Sequence, residues 1–505
     1  MSTTAEPSSI PAKHSYGEIL KSSALIGGSS VLVIVIGMVR TKAMALILGP
    51  AGFGLMGLYG SIVDFTLSVA GMGLAGSGVR QIAHAVGTGE AEQIGHTVTV
   101  LRRLSIALGV LGTFVVLAFA APISVVTFGS DDHALAVALL SVAVLFRVVS
   151  AGQGALLQGM RRIYDLAIMG VLGALLGTLA SVPLVYVLGV EGVAPALVAT
   201  AAFGLLISWW YSRRVVVEIP RVALLEFRLE AAELLKLGFA FMVSGILVMG
   251  AAYAVRAMVV HSLGLDAAGL YQAAWTLGGL YVGIILQAMG ADFYPRLVAA
   301  SDDHTHSNRL VNEQAQVSML LATPGVVATI TFAPVVIHLL YAADFIEAVD
   351  VLRWICLGIA MRVVTWPMGF IIIAKRRQGL FMGVELAWTV VNLVATWICL
   401  NWFGLIGAGI AFFLSYVVHG LILYPLARRI SDFRWSSTNV RTGLLLFMLT
   451  TIGFSGFQFF SPMVATVVGI GATVASGVYS VYILARLVPL DQLPSPLQRL
   501  LRPFI

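Results

Sequence analysis

Phe146-Arg147-Val148-Val149-Ser150 and Met361-Arg362-Val363-Val364-Thr365 stand at an offset of 215 in the numbering, and each sets an arginine inside an otherwise apolar stretch. A guanidinium at bilayer depth costs about 2.5–3.5 kcal/mol or more unless it faces protein or water, so such a residue marks function by default. Its recurrence at a fixed offset predicts a membrane protein built from two copies of one bundle.

The composition around the two strings agrees. Hydrophobic residues make up 59% of the 505 and charged ones only 11%, with a mean hydropathy of +0.96; soluble domains carry about 25% charge. Runs of roughly 20 apolar residues, the length that crosses a bilayer, predict fourteen spans: 22–48, 52–79, 98–121, 134–160, 164–188, 193–212, 235–262, 268–291, 316–341, 346–374, 380–402, 405–427, 441–460 and 464–486. The fold class expected is an all-α polytopic membrane protein.

Cytoplasmic loops carry the Lys/Arg excess, which orients the spans. Even-numbered spans end at Arg80, Arg161-Arg162, Arg213-Arg214, Arg296, Lys375 to Arg377, Arg428-Arg429 and Arg486, whereas the opposite loops carry Asp131, Asp132, Glu191, Asp266 and Asp344. Both termini are therefore expected in the cytoplasm of a multi-pass protein. The net charge of +6 reads as this topology signal and as contact with anionic lipid headgroups, not as nucleic-acid binding. Residues 1–20 are polar and lack the core of a cleavable signal, so the first span is expected to stay as an anchor.

The offset of 215 recurs. Arg161-Arg162 maps onto Arg376-Arg377, Arg213-Arg214 onto Arg428-Arg429, Gly189 and Gly192 onto Gly404 and Gly407, and Leu48-Gly49 with Gly54-Leu55 onto Leu263-Gly264 with Gly269-Leu270. Arginines at the ends of similar helices would align in part without a repeat; the mid-span pair Arg147 and Arg362 would not. Each copy covers six spans, an even number, so the repeat is parallel, about an axis along the membrane normal. The organisation expected is an N-terminal tail (1–21), a six-helix bundle (22–212), a cytoplasmic linker (213–234), a second six-helix bundle (235–427), a cytoplasmic loop (428–440), two further helices (441–486) and a cytoplasmic tail (487–505).

At a rise of about 1.5 Å per residue, Arg40 and Lys42 in span 1 and Arg256 in span 7 lie roughly 10 Å from the outer face. Arg147 and Arg362 lie about 20 Å in, near the bilayer middle. Acids at such depth are few: Asp64 in span 2, and Glu385 nearer the inner end of span 11. The five cations are the candidate anion-holding residues and the two acids the candidate ion-coupling residues. The plainer reading of each cation is structural: pairing with Asp64, bonding backbone carbonyls, or snorkelling, as expected for Arg353. Arginine forks suit phosphate oxygens bidentately.

Other polar residues carry less. Gln153, Gln158, Gln272, Gln287, Asn392 and Gln458 suit either sugar hydroxyls or hydrogen bonds between helices. His261 and His338 read as pH sensors or packing residues. Trp366-Pro367 is expected to kink span 10. Cys356 and Cys399 read as small buried hydrophobes. No phosphate-binding glycine loop, Gly-x-Ser-x-Gly or zinc spacing occurs, so no enzyme, metal or cofactor is expected. A membrane-embedded glycan polymerase or ligase would want a large outer loop, and all outer loops here are short.

Four stretches carry a family resemblance: Leu48-Gly49-Pro50-Ala51-Gly52-Phe53-Gly54, Asp292-Phe293-Tyr294-Pro295-Arg296-Leu297, Val187-Leu188-Gly189-Val190-Glu191-Gly192 and Phe403-Gly404-Leu405-Ile406-Gly407-Ala408-Gly409. In order and spacing they resemble the polysaccharide-transporter O-antigen flippases of the multidrug/oligosaccharidyl-lipid/polysaccharide superfamily, over roughly residues 20–430. The resemblance implies two six-helix bundles that alternately expose a cationic cavity. The cargo implied is an undecaprenyl-pyrophosphate-linked oligosaccharide, crossing the bacterial inner membrane from the cytoplasmic to the periplasmic leaflet, with the glycan polymerase and ligase of the same pathway as partners. Lipid II flippases of the same superfamily usually show an Arg-Asp pair in the first helix; Arg40-Thr41-Lys42 departs from it, although the two extra C-terminal helices fit that group. A multidrug and toxin antiporter shares the fold but would want carboxylates in its cavity.

Overall fold

The computed structural model describes residues 12–217 and 223–487. Residues 1–11 and 488–505, most of the two expected tails, and linker residues 218–222 lie outside it. Among the described residues every regular element is helical: α1 (Ala12–Ala70), α2 (Leu74–Thr88), α3 (Ala91–Ala118), α4 (Ala120–Phe128), α5 (Ala134–Gly159), α6 (Ile163–Leu188), α7 (Val193–Ser212), α8 (Leu224–Ala299), α9 (His304–Leu340), α10 (Ala348–Ala374), α11 (Gln378–Phe403), α12 (Ile406–Ser431), α13 (Ser437–Phe459) and α14 (Pro462–Leu487), with 3₁₀ turns at Gly189–Gly192 and Ala343–Phe345. In hydrocarbon every backbone polar group needs an internal partner, which a helix supplies.

Eleven of these stretches are long and apolar enough to cross a membrane. Three of them, Gly28–Ala70, Ile163–Ser212 and Leu224–Gly283, are 43, 50 and 60 residues long, enough for two crossings each. Each is divided where the predicted spans divide: at Gly49, at the Gly189–Gly192 turn and at Gly264. The described chain is thus a multi-pass membrane protein with the fourteen crossings expected.

The repeat is visible in the backbone itself. Gly49 (φ 63°) and Gly264 (φ 87°), Gly189 (φ 59°) and Gly404 (φ 61°), and Arg161 (φ 55°) and Arg376 (φ 58°) are three pairs of left-handed residues, each at the repeat offset. At the C-terminal end of α5, Arg161 N–H donates to Gln158 O and Arg162 N–H to Leu157 O. At the C-terminal end of α10, Arg376 N–H donates to Ile373 O and Arg377 N–H to Ile372 O. These are twin Schellman caps, with arginine where glycine is usual.

Among the described residues packing forms two compact units, one from residues up to 48 with 59–249, the other from 49–58 with those from 250 on. In the first, Leu74, Ile82, Leu101, Leu156, Leu157 and Leu234 centre a core. In the second, Phe293, Val311, Ile371, Ile372, Leu423 and Phe433 do so; Ile371 and Ile372 are the repeat counterparts of Leu156 and Leu157. Within the second unit, the equivalent glycines Gly54 and Gly269 press backbone on backbone, and a Cβ on either would strike the other strand of the crossing. Small residues permit such approach between membrane helices. Helices α13 and α14 pack on α9, with Gly469 against Thr331 and Asn439 bonded to Asn312 O (2.7 Å).

The charged stretch 224–234, expected as part of the cytoplasmic linker, is helical and forms the first part of α8. Glu226 reaches back to accept from Ala223 N–H (3.1 Å), the return half of a capping box, and Glu230 accepts from Thr97 (2.7 Å). Charged residues thus start the helix. Pro367 lies inside α10, which continues through it as one helix.

Gly49 (φ 63°, ψ −174°) and Gly264 (φ 87°, ψ 179°) occupy a region closed to side chains, while a Cβ on either would meet nothing within 4 Å. Replacement by alanine therefore costs backbone strain alone, about 1–3 kcal/mol at each site. Gly60→Ala, helical and equally uncrowded, is expected to be neutral or slightly stabilising. Thermal unfolding of the three purified variants in detergent distinguishes them.

Candidate functional site

Arg147 and Arg362 stand on α5 and α10, repeat partners whose C-terminal ends, Gly159 and Ala374, keep the same offset. Arg147 on α5 does not stand alone. Its Nη1 donates to Asp64 Oδ1 at 2.5 Å, the two side chains being 40% and 45% exposed. This is the structural alternative that the sequence had left open for the deep cations. On a membrane-spanning helix such a pair is tolerated where it meets protein or water.

In the second unit, Arg362 on α10 is half-buried and shares its surroundings with Glu385 on α11 and with Tyr416 and His419 on α12, all within electrostatic range. His419 is buried and its Nδ1 has no hydrogen-bond partner; Trp388 Nε1 and Thr389 Oγ1 nearby on α11 also lack one. Three unsatisfied polar atoms in one set of helices are costly unless a solute or water completes them.

The cations repeat but their countercharges do not. The repeat counterparts of Asp64, Glu385 and His419 are Gly279, Gly170 and Gly204. Each copy therefore carries the same arginine and finds its acid on a different helix, α1 in the first and α11 in the second.

The other predicted cations differ in setting. Arg256 is buried; its Nε donates to Gln272 Oε1 (2.6 Å) and its Nη1 to Ala252 O (2.9 Å). Gln272, read as a sugar ligand or an interhelical partner, takes the second role, and Gly57 leaves room for its amide. Arg40 and Lys42 are half-buried on α1 in the first unit. Arg353, expected to snorkel, is instead fixed: it bonds Asp350 (3.0 Å) and Ile330 O (3.3 Å), with Phe457 3.7 Å from its guanidinium. Gln153 Oε1 accepts from Ser208 (2.6 Å), joining α5 to α7. Cys356 and Cys399 are buried free thiols. No cluster of metal-ligating side chains occurs among the described residues.

With this geometry in place the comparisons are decisive for the family. Its profile, described as polysaccharide biosynthesis protein, matches residues 43–350, more than half of the chain. The chain belongs to the polysaccharide biosynthesis protein family. It is 22% identical over 412 residues to the lipid III flippases of Escherichia coli (strain K12) and Shigella flexneri, covering 79% of this chain and 96% of each relative. Its fold is similar to that of a multidrug resistance MATE family transporter of the MOP superfamily, itself solved in an inward-facing conformation (TM-score 0.68, 18% identity, 79% of this chain and 95% of that one). The lipid II flippase MurJ in an inward closed conformation matches too (TM-score 0.65, 12% identity, 92% and 99%). So does a Pyrococcus furiosus MOP-superfamily transporter described as having a binding pocket of reversed polarity (TM-score 0.59, 17% identity, 81% and 96%).

Sequence reasoning passed over two groups of this family member. His419 was open to the same rule that exposed Arg362, an ionisable side chain inside a span. The second group lies at the end of the first unit where α4 meets α5. There the Tyr59 hydroxyl is 3.0 Å from His133 Nδ1, and His133 lies against Phe128 with ring centroids 4.2 Å apart. Nothing in the sequence joins residues 59 and 133; only the packing does.

Both sets of contacts can be tested. Asp64→Asn strands Arg147 beside an uncharged amide, whereas Asp64→Asn with Arg147→Met removes both charges. A double-mutant cycle on thermal stability is expected to return a favourable Arg147–Asp64 coupling of about 0.5–3 kcal/mol. Burial holds the His133 imidazole below its ordinary 6.5, against the opposing pull of Asp132, so folding favours its neutral form. That contribution is present above about pH 6.5 and is lost as pH falls below it. Between pH 7.5 and 5 the native protein is expected to lose more melting temperature than His133→Gln.

Proposed function

We propose that this protein is a flippase that carries an undecaprenyl-pyrophosphate-linked oligosaccharide, an O-antigen or exopolysaccharide repeat unit, from the cytoplasmic to the periplasmic leaflet of the bacterial inner membrane. The observation that carries this reading is the arginine placed at the same repeat position of each copy, Arg147 and Arg362, in a member of the polysaccharide biosynthesis protein family. The lipid III flippase relatives support a lipid cargo, and the MOP-superfamily fold supports transport over catalysis.

In this reading the bundles 22–212 and 235–427 alternately open a central cavity. Arg40, Lys42, Arg147, Arg256 and Arg362 supply its positive charge. A pyrophosphate offers only acceptor oxygens and several negative charges, the target that guanidinium forks fit. The glycan follows it into the cavity while the polyprenyl tail stays in lipid. Arg147 is held by Asp64 until the substrate arrives. When the pyrophosphate takes the guanidinium, the released Asp64 carboxylate sits beside a new anion, and binding a proton or a metal cation relieves the repulsion. Glu385, within electrostatic reach of Arg362, would take up the corresponding ion in the second copy. Ion uptake is thereby linked to substrate binding with no nucleotide-binding domain. On the periplasmic side, a polymerase and a ligase of the pathway would consume the product.

A second reading, a lipid II flippase, is favoured by one observation: the MurJ likeness covers 92% of this chain, more than spans 1–12 alone. The absence of an acid beside Arg40 in Arg40-Thr41-Lys42 favours the first. A multidrug antiporter is disfavoured because cations outnumber carboxylates at depth.

The test is translocation of the lipid-linked glycan in proteoliposomes, with surface glycan as the cellular readout. Loss of one charge-assisted phosphate contact is worth about 1.5–3 kcal/mol, so Arg362→Ala is expected to lower transport by about tenfold or more at unchanged membrane insertion. Arg362→Lys should recover part of it. Wild-type transport by Arg362→Ala would remove this residue from the site, and transport of lipid II in preference to the oligosaccharide carrier would favour the second reading.

A further inference from the structure

A cavity of about 560 Å³ lies in the first unit between α3, α5, α7 and the segment that follows α7. Its wall includes Arg102, Ser105, Gln153, Trp209, Ser212 and Arg213, and no carboxylate. Among the described residues Arg102 has no ion-pair or hydrogen-bond partner. Arg213 is positioned by aromatic rings, its guanidinium 4.7 Å from the Trp209 ring and 4.2 Å from that of Trp210; such contacts hold a cation without neutralising it.

Ser105 points to a missing acceptor. It is 2% exposed and its Oγ has no hydrogen-bond partner. It fits only because residue 152 is glycine, since a Cβ there would strike its Oγ. The carbonyl of the Gln153 amide is already taken by Ser208, which leaves its donor end for a ligand. Two guanidinium groups, a hydroxyl and an amide N–H₂ form a donor set for an oxyanion.

The position selects the kind of oxyanion. Helix α7, of 20 residues, is about 30 Å long, the thickness of the hydrocarbon core, and the cavity lies at its arginine-bearing end, at headgroup level. Exposed Ile106, Trp209 and Val216 line its rim with apolar surface where a chain attached to the anion would lie. The cavity's polar lining is not repeated in sequence: the counterparts of Arg102, Ser105 and Gln153 are Val317, Leu320 and Met368, and among these and Arg213 only the last keeps a cation, Arg428.

We propose that this cavity binds the phosphate of a lipid headgroup at the membrane face that carries the arginine-rich helix ends, with the lipid chain leaving past Ile106 and Trp209. The proposal is independent of what the central arginines transport. A resident anionic phospholipid and a polyprenyl phosphate present the same chemistry, and separate probes tell them apart.

The test is native mass spectrometry of the purified full-length protein titrated with phosphatidylglycerol, undecaprenyl phosphate or, as a neutral control, phosphatidylcholine. Wild type is expected to retain one of the two anionic lipids over phosphatidylcholine; which one identifies the source. Arg102→Gln with Arg213→Gln is expected to weaken that binding by about tenfold or more, the range for losing charge-assisted hydrogen bonds. Ser105→Ala, which removes an unbonded hydroxyl and leaves the packing intact, should weaken it a few-fold, and Arg428→Gln, at the repeat counterpart, should leave it unchanged. Equal retention of all three lipids by wild type, or undiminished binding by Ser105→Ala and the double variant alike, overturns the proposal. Transport by Arg362 variants is a separate readout, so either idea can fail without the other.

Discussion

A guanidinium inside a bundle of apolar helices must find its compensation within that bundle, because hydrocarbon offers none. Arg147 meets this constraint with a direct bond to Asp64, and Arg256 with the Gln272 amide and a backbone carbonyl. Arg362 meets it less directly, in the field of Glu385 beside polar groups whose own bonds are unmade. The same arginine thus stands at equivalent positions of the two copies while its compensation differs between them.

The repeat separates what the scaffold needs from what the site needs. Positions that set the backbone are the same in both copies: Gly49 and Gly264 at the turn between paired crossings, Gly189 and Gly404 after α6 and α11, and Arg161 and Arg376 in left-handed caps. Arginine in that conformation is strained where glycine would not be, so the caps hold positive charge at the helix ends at some cost in stability. Positions that compensate the deep cations differ: Asp64, Glu385 and His419 each correspond to glycine in the other copy. A symmetric frame therefore holds two sites of unlike chemistry.

Much of this frame was legible in the sequence because membrane helices obey few rules. Predicted spans 134–160 and 193–212 coincide with α5 and α7 to within a residue, since apolar length and flanking charge decide where a span ends. Where charge enters a helix for local reasons, those rules do not mark its start: residues 224–234, outside every predicted span, are helix because Glu226 satisfies the first turn. The pairing of Arg147 with Asp64 bridges 83 residues and was only one of several roles that composition allowed. His133 and Tyr59, and the cavity at Arg102, depend on which faces meet, and a pattern of apolar residues does not specify that.

The asymmetry also bears on how a two-copy protein gains direction. A strictly two-fold arrangement of cations would hold an anion equally from either copy, with no coupling specific to one. Here the first copy offers an arginine already held by a carboxylate, and the second an arginine near a carboxylate, an imidazole and unbonded polar atoms. In the function proposed above, displacing Asp64 from Arg147 would break a short charge-assisted hydrogen bond, whereas Arg362 has no ion pair to break among the described residues, so an anion would exchange partners at unequal cost in the two copies.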